Sequence, residues 1–173
     1  MEIKAYQNYL EILKQELIPA LGCTEPICLA FAAAKARELL GQMPEHMLAE
    51  CSGNIIKNVK GAIVPNSGGM KGVEAAIAIG AVGGNAQKEL EVVADIQAYQ
   101  IAKAATLVKA HTFCEVKVLK SKAPLHVRVT AFAGEHRAVV EIKDAHTNIV
   151  LLQKDEEVLF CKQSKQEQAI EKV

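Results

Sequence analysis

The chain has 173 residues, half of them hydrophobic, and its twenty basic residues balance twenty acidic ones. That length supports one sizeable core, burying roughly 70% of the surface an unfolded chain would expose, and the composition argues against intrinsic disorder. Zero net charge supplies no field that would draw the chain to nucleic acid or to an anionic membrane, so a small, roughly neutral substrate is the expected partner.

In chain order, apolar residues Tyr6, Tyr9, Leu10, Leu13, Leu17 and Ile18 recur at helical spacing and predict an amphipathic helix over 5–18 that Pro19 stops. Thr24 reads as an N-cap, with Glu25 and Pro26 in a favourable first turn, for a second helix over 25–40 closed by Gly41. Its run Leu29 to Ala34 is apolar on nearly every side, so this helix is expected to be buried, with alanines that let neighbours approach closely. A short strand over 47–51 leads to Ser52-Gly53-Asn54, a turn and cap cluster that starts another helical turn. Ile63 to Gly69 reads as a strand end running into a glycine loop, 71–83 as a helix of small residues, and about 93–110 as a further helix.

Beyond His111 the period changes to two, with Val116 and Val118, then Val127, Val129 and Ala131, then Val139 and Ile142. Strands are expected over 125–133 and 136–143 with a hairpin at Gly134-Glu135, and over 147–153 and 157–161. Residues 162–173 are polar and charged, as in a linker to a further region. Helices followed by strands imply an α+β fold, with alanine-rich helices packed on an antiparallel sheet formed mainly by the C-terminal part. Residues 1–161 are read as a single domain.

No stretch of 18 consecutive apolar residues occurs, and Met1-Glu2-Ile3-Lys4 has no apolar signal core behind it, so a cytoplasmic location is expected. The five cysteines, Cys23, Cys28, Cys51, Cys114 and Cys161, are odd in number and scattered, which speaks for reduced thiols over a disulfide framework. Cys23 stands out because a thiol just before a helix start lies near unpaired N–H groups and positive dipole, which favour the thiolate needed for metal ligation or attack. The bland alternative is a small buried hydrophobe.

The run Ala20-Leu21-Gly22-Cys23-Thr24-Glu25-Pro26 resembles the signature of iron-sulfur-dependent L-cysteine desulfidases, a family related to the alpha region of bacterial L-serine dehydratases. Further matching pieces follow in order: Lys57-Asn58, Val64 to Gly72, Gly80 to Asn85, and His146-Thr147-Asn148-Ile149. The resemblance covers essentially the whole chain and is strongest over 15–85. Glu25 stands where serine dehydratases typically have glycine, which tilts the resemblance toward the desulfidase side.

The resemblance implies the amino-terminal part of a lyase that needs no pyridoxal phosphate. Such a lyase converts L-cysteine to pyruvate, ammonia and sulfide by α,β-elimination, with an open iron of a [4Fe-4S] cluster acting as Lewis acid. Family members hold the cluster on three cysteines, of which Cys23 matches one; the other two lie far downstream and match nothing in this chain. Cys28 follows Cys23 by five residues, roughly 140° around a helix, and the remaining cysteines lack the close spacing of ferredoxin-type sites. All four are read as core or surface thiols.

An amino-acid substrate also needs N–H donors or a cation for its carboxylate, offered by the helix start at Thr24, by Ser67-Gly68-Gly69, and by Lys57 or Lys71. Its ammonium needs an acid, for which Glu25 is nearest. Glu25 and Lys57 are thus candidate catalytic residues, and Thr24, Asn58, Ser67, Gly68, Gly69, His146 and Asn148 candidate substrate contacts. Each has a structural alternative: a helix-dipole acid, a solvated lysine, a turn.

An L-serine dehydratase-like deaminase and a non-catalytic binding fragment stay open. A P-loop is excluded, because Gly68 to Gly72 lacks its spacing and its terminal Gly-Lys-Ser/Thr. A thiol hydrolase would need Cys23 paired with His46, His111, His126, His136 or His146. The missing cluster ligands imply self-association or a partner chain that carries the remaining cysteines, with an apolar patch expected on helices 25–40 and 71–83.

Overall fold

The computed structural model describes residues 24–162. The segment read as a helix over 5–18, Cys23 itself, and residues 163–173 of the polar tail lie outside the described residues.

Helix α1, Thr24–Leu40, carries an alanine-rich stretch that is buried from Pro26 to Ala34. Thr24 is already helical, not the flanking cap its residue type suggested. Gly41, at φ 79°, ends α1 with its N–H on the Arg37 carbonyl, the left-handed closure that glycine permits. Strand β1, His46–Cys51, alternates strictly, with Met47, Ala49 and Cys51 buried. A short helix α2, Gly53–Val59, follows at once. The chain then makes a small hairpin, bridged Ile63 to Lys71, and enters helix α3, Val73–Gly83.

The long helix expected over 93–110 is shorter. Residues 86–91 form a 3-10 turn, and the α-helix proper, α4, is Ala98–Ala110. Val92, Val93 and Ile96 are buried from turns, and their spacing imitates a helical stripe. At the true start the Gln97 N–H donates to Gln100 Oε1 at 2.8 Å.

Strands β2 (Cys114–Val118), β3 (His126–Ala133), β4 (His136–Lys143), β5 (Ile149–Lys154) and β6 (Glu157–Cys161) complete a six-stranded sheet of order β2-β1-β3-β4-β5-β6. The fold is α+β, as the element pattern implied. The sheet is antiparallel except for one pair: β1 and β2 are parallel, with Met47 opposite Cys114. Parallel neighbours need a long crossover, which α2, α3 and α4 supply. Strand β1 also pairs antiparallel with β3, so it is interior.

One sheet face is covered. Helix α1 packs on β3 and β4, α3 packs on α1, and α4 packs on α3. The covered face presents Ala49, Val127, Val129, Ala131, Ala138, Val140 and Ile142, all inaccessible to solvent. Small side chains on sheet and helix bring the backbones close. The tightest approach is between α1 and α3: a Cβ on Gly80 would sit 2.2 Å from the Ala30 carbonyl oxygen. One turn on, a Cβ on Gly84 would meet the Ala34 methyl at 2.9 Å. Arg37 donates to the Ala81 carbonyl at 2.8 Å and to that of Gly84, so a cation on α1 satisfies the last carbonyls of α3.

Among the described residues the alanine-rich helices expose no apolar patch of the kind expected, and α1 and α3 pack on each other and α1 on the sheet. Exposed large apolar residues lie elsewhere, three of them consecutive on β6: Val158, Leu159 and Phe160. No described helix is long and apolar enough to cross a membrane.

Gly80→Val is expected to force α1 and α3 apart and to destabilise the protein by about 1–3 kcal/mol. Urea unfolding would show this as a lowered midpoint with an unchanged slope, whereas an unchanged midpoint would contradict the contact.

Candidate functional site

Sheet topology gathers several candidate residues at one end of the molecule. β1 and β4 end there, at Cys51 and Lys143, and β3 and β5 begin there, at His126 and Ile149. Helix α1 starts at the same end, because Glu25 Oε1 lies 4.0 Å from Nε2 of His146, which sits in the turn joining β4 to β5. Helix α2, bearing Lys57 and Asn58, leaves β1 there as well; the Ser52 hydroxyl donates to the Pro124 carbonyl at 2.7 Å, holding it to the loop before β3. The contacts of Ala30 with Gly80 and Ala34 with Gly84 show that α1 and α3 run in the same sense where they cross, whereas Glu74 in the first turn of α3 lies 3.8 Å from His111, just ahead of β2 and away from this end.

His146 Nε2 is the notable atom. It is buried, and it has no hydrogen-bond partner among the described residues. Leaving a buried imidazole nitrogen unpaired costs about 1–3 kcal/mol, a cost more often met at functional sites than in plain cores. Glu25 is partly buried in the first turn of α1, where a carboxylate is favoured by the helix dipole. Glu25 stands two residues from Cys23 in sequence, and Cys23 itself lies outside the described residues.

The turn that carries His146 is built by its neighbours. Asp144 takes φ 71°, and the Asn148 side-chain amide donates to the Lys143 carbonyl at 2.8 Å. Asn148 Oδ1 accepts from Lys162 Nζ at 2.9 Å. Asn148 therefore shapes the turn with both ends of its amide.

The Ser67-Gly68-Gly69 loop is occupied with its own closure. The buried Ser67 hydroxyl donates to the Val64 carbonyl at 2.6 Å and accepts from the Met70 N–H at 3.0 Å. Gly68 and Gly69 adopt φ 74° and 96°. Asn66, also left-handed, donates to the Val93 carbonyl at 2.9 Å, and Gly68 faces Ile101, so this loop packs toward the start of α4. Lys57 and Asn58 are exposed on α2.

Sequence reading missed a polar cluster on the sheet face that no described helix covers. His126 Nδ1 lies 2.8 Å from Ser121 Oγ, its Nε2 bonds Glu141, and Arg128 reaches the other Glu141 oxygen at 3.2 Å. Only the period-two spacing, which puts His126 and Arg128 on one face, hinted at it. His136 bonds Asp155 at 3.1 Å and His46 bonds the Thr112 carbonyl at 3.1 Å. His146 is the histidine that meets Glu25.

The remaining thiols divide cleanly. Cys28 and Cys51 are fully buried, Cys114 nearly so, and Cys161 is exposed on β6. Burial pushes each of the three interior thiols up to about 12, and neighbouring acidic groups add to this: the Cys51 thiol and Glu25 at Cys28, Glu50 at Cys51, Glu74 at Cys114. Such thiols are poor ligands and poor nucleophiles. Among the described residues, no group of three or more His, Cys, Asp or Glu side chains is disposed to hold a metal ion. These residues by themselves therefore do not fit a [4Fe-4S] cluster.

A hollow of about 420 Å³ lies at the far end of α1, between Arg37, Asn85, Gln87 and Gln100. The guanidinium there is engaged with α3 carbonyls.

The chain is similar to proteins called UPF0597 in several bacteria. It is 48% identical to one from Treponema denticola over 157 residues, covering 91% of this chain and 36% of that protein. It is 49% identical to one from Finegoldia magna over 154 residues, covering 88% of this chain and 37% of the relative. For one from Lachnoclostridium phytofermentans the identity is 45% over 155 residues, or 90% and 37%. The chain thus spans a little over a third of the length of the curated relatives it matches. No family model and no solved structure matches it.

The thiol environments make stability depend on pH. A folded-state value near 12, against an ordinary 9.0, means that the unfolded chain releases these protons first. The stabilisation is complete below about pH 8.5 and is lost as pH rises toward 12. Denaturant midpoints should hold from about pH 7 to 8.5 and fall above about 9, with a shallower fall in Cys51→Ala. A fall of equal steepness in that variant would sink the assignment.

Proposed function

We propose that the complete protein is a [4Fe-4S]-dependent lyase, independent of pyridoxal phosphate, that degrades L-cysteine to pyruvate, ammonia and sulfide. In this reading the chain contributes Cys23 as one cluster ligand and frames the substrate with the head of α1. The observation that supports it is the meeting of Glu25 with the unpartnered, buried His146 Nε2 at 4.0 Å, two residues along the chain from Cys23. The described residues do not fit a cluster by themselves, so the remaining thiolates would come from the polypeptide beyond this chain's span.

The chemistry asks this chain for charge matching and proton handling. The N–H groups that open α1 at Thr24 and Glu25, together with Lys57 on α2, suit the substrate carboxylate. Glu25 suits its ammonium or, with His146 beside it, receives the α-proton. As the Cα–H bond breaks, its electron pair forms the Cα=Cβ bond and the C–S bond breaks, releasing sulfide. Water then converts the aminoacrylate to pyruvate and ammonia. Hydrogen bonding by His146 to the Glu25 carboxylate would hold the acceptor oxygen in place during the transfer.

A second reading is a non-catalytic module that binds an amino acid, for which the start of α1 and the Glu25 carboxylate are the fitting groups. Anaerobic reconstitution with iron and sulfide separates the two, run on this chain alone and with the remainder of the Treponema denticola relative. Cluster absorbance and sulfide release from L-cysteine, with L-serine in parallel, are expected only in the combined sample and are expected to vanish in Cys23→Ala. His146→Gln should lower turnover by about 10²-fold or more with the absorbance retained. Amino-acid affinity that persists in Cys23→Ala, with no sulfide released by any sample, would overturn the lyase reading.

A further inference from the structure

The two edges of the sheet differ in a way that points to an occupant. An edge strand offers unpaired N–H and C=O groups to any passing strand, and proteins guard such edges with charge or cover. Strand β2 is guarded: Glu115 and Lys117 stand exposed along it, and Lys120 and Lys122 follow. Strand β6 is not. All five of its residues are exposed, and Val158, Leu159 and Phe160 are 52%, 49% and 44% accessible. Helix α1 reaches β3 and β4 but barely touches β5, so the described helices leave both faces near β6 thinly covered.

The strand is also irregular. Phe160 pairs with Leu152 and Val158 with Gln153, leaving Leu159 as the extra residue, and because Leu152 and Gln153 point to opposite sides, Phe160 and Val158 lie on opposite faces of the sheet. Apolar side chains on both faces of an edge strand suit a site enclosed from both sides, not one that faces water.

From these features we propose that β6 is the docking edge for the part of the polypeptide that full-length relatives carry outside this chain's span, which adds a strand beside β6 and covers Val158, Leu159 and Phe160. The length comparison argues for that occupant: the matched region is 36% of the Treponema denticola protein, leaving nearly two thirds of it outside the match. A second copy of this chain is disfavoured by size. Five residues paired with their like bury far less than the roughly 1,200–2,000 Å² of a stable interface. The surface is independent of the chemistry, since an edge of this kind needs cover whether or not the whole protein is a lyase.

Hydrogen exchange on this chain and on the intact Treponema denticola protein tests it, with β3 and β4 as the internal reference for a folded sheet. The amides of 157–161 that point away from β5 should exchange freely in this chain, which should run as a monomer in light scattering. The aligned amides of the intact relative should be slowed by about 100-fold or more. Leu159→Lys should leave the melting of this chain unchanged, as expected at an unfilled edge. Equal exchange in the two proteins would overturn the proposal. So would protection in this chain alone: with a doubled mass the occupant is a second copy, and with a monomer mass it is the chain's own terminal residues.

Discussion

Ala30 and Gly80 meet so closely that the second residue has no room for any side chain. The rest of the described structure is arranged around that crossing. It brings α3 onto α1 in a fixed sense and sets Arg37 over the final carbonyls of α3. It also lets α1 lie low over a sheet face of alanines and valines. Larger residues at these positions would thicken the layer and remove α1 from the sheet, and the start of α1 would then lose its place beside the β4–β5 turn. The geometry at Glu25 and His146 is thus set by packing about a turn and a half further along α1.

The same arrangement explains why polar candidates collect at one end. Four strand ends, the start of α1 and the short helix α2 all face the same way. Loops and helix starts carry unpaired backbone donors, whereas the opposite end is taken up by α3 carbonyls that Arg37 already satisfies. An anionic or zwitterionic ligand would find donors at the first end. A carboxylate beside a buried imidazole nitrogen is the chemistry that the described residues offer there.

Much of this was legible in the residues because the signals were local. The alanine run predicted a buried α1, the period-two valines predicted β3 and β4, and Gly134-Glu135 marked their hairpin within a residue. What was not legible depended on distance. Nothing in Cys114 to Val118 says that it lies parallel to β1, since that follows from three intervening helices returning the chain to the same end. Val92, Val93 and Ile96 have helical spacing but are buried from turns. Within the site, Glu25 was visible as a first-turn acid, whereas its approach to His146 needs the register of β4 and β5. The hydroxyl of Ser67 looked available for a ligand, and it closes its own loop instead.

The position of β1 also bears on how the molecule is made. Both strands that flank it come later in the chain, β2 opposite Met47 at Cys114 and β3 opposite Met47 at Ala131. As the polypeptide leaves the ribosome, β1 therefore emerges with neither partner available, and its apolar face waits while the whole helical crossover is synthesised. Such distant pairings are slow to form and leave apolar strands open to wrong neighbours in the interval. The early burial of α1 against α3, both complete before β2 appears, gives the nascent chain a compact helical pair on which that strand can rest until its partners arrive.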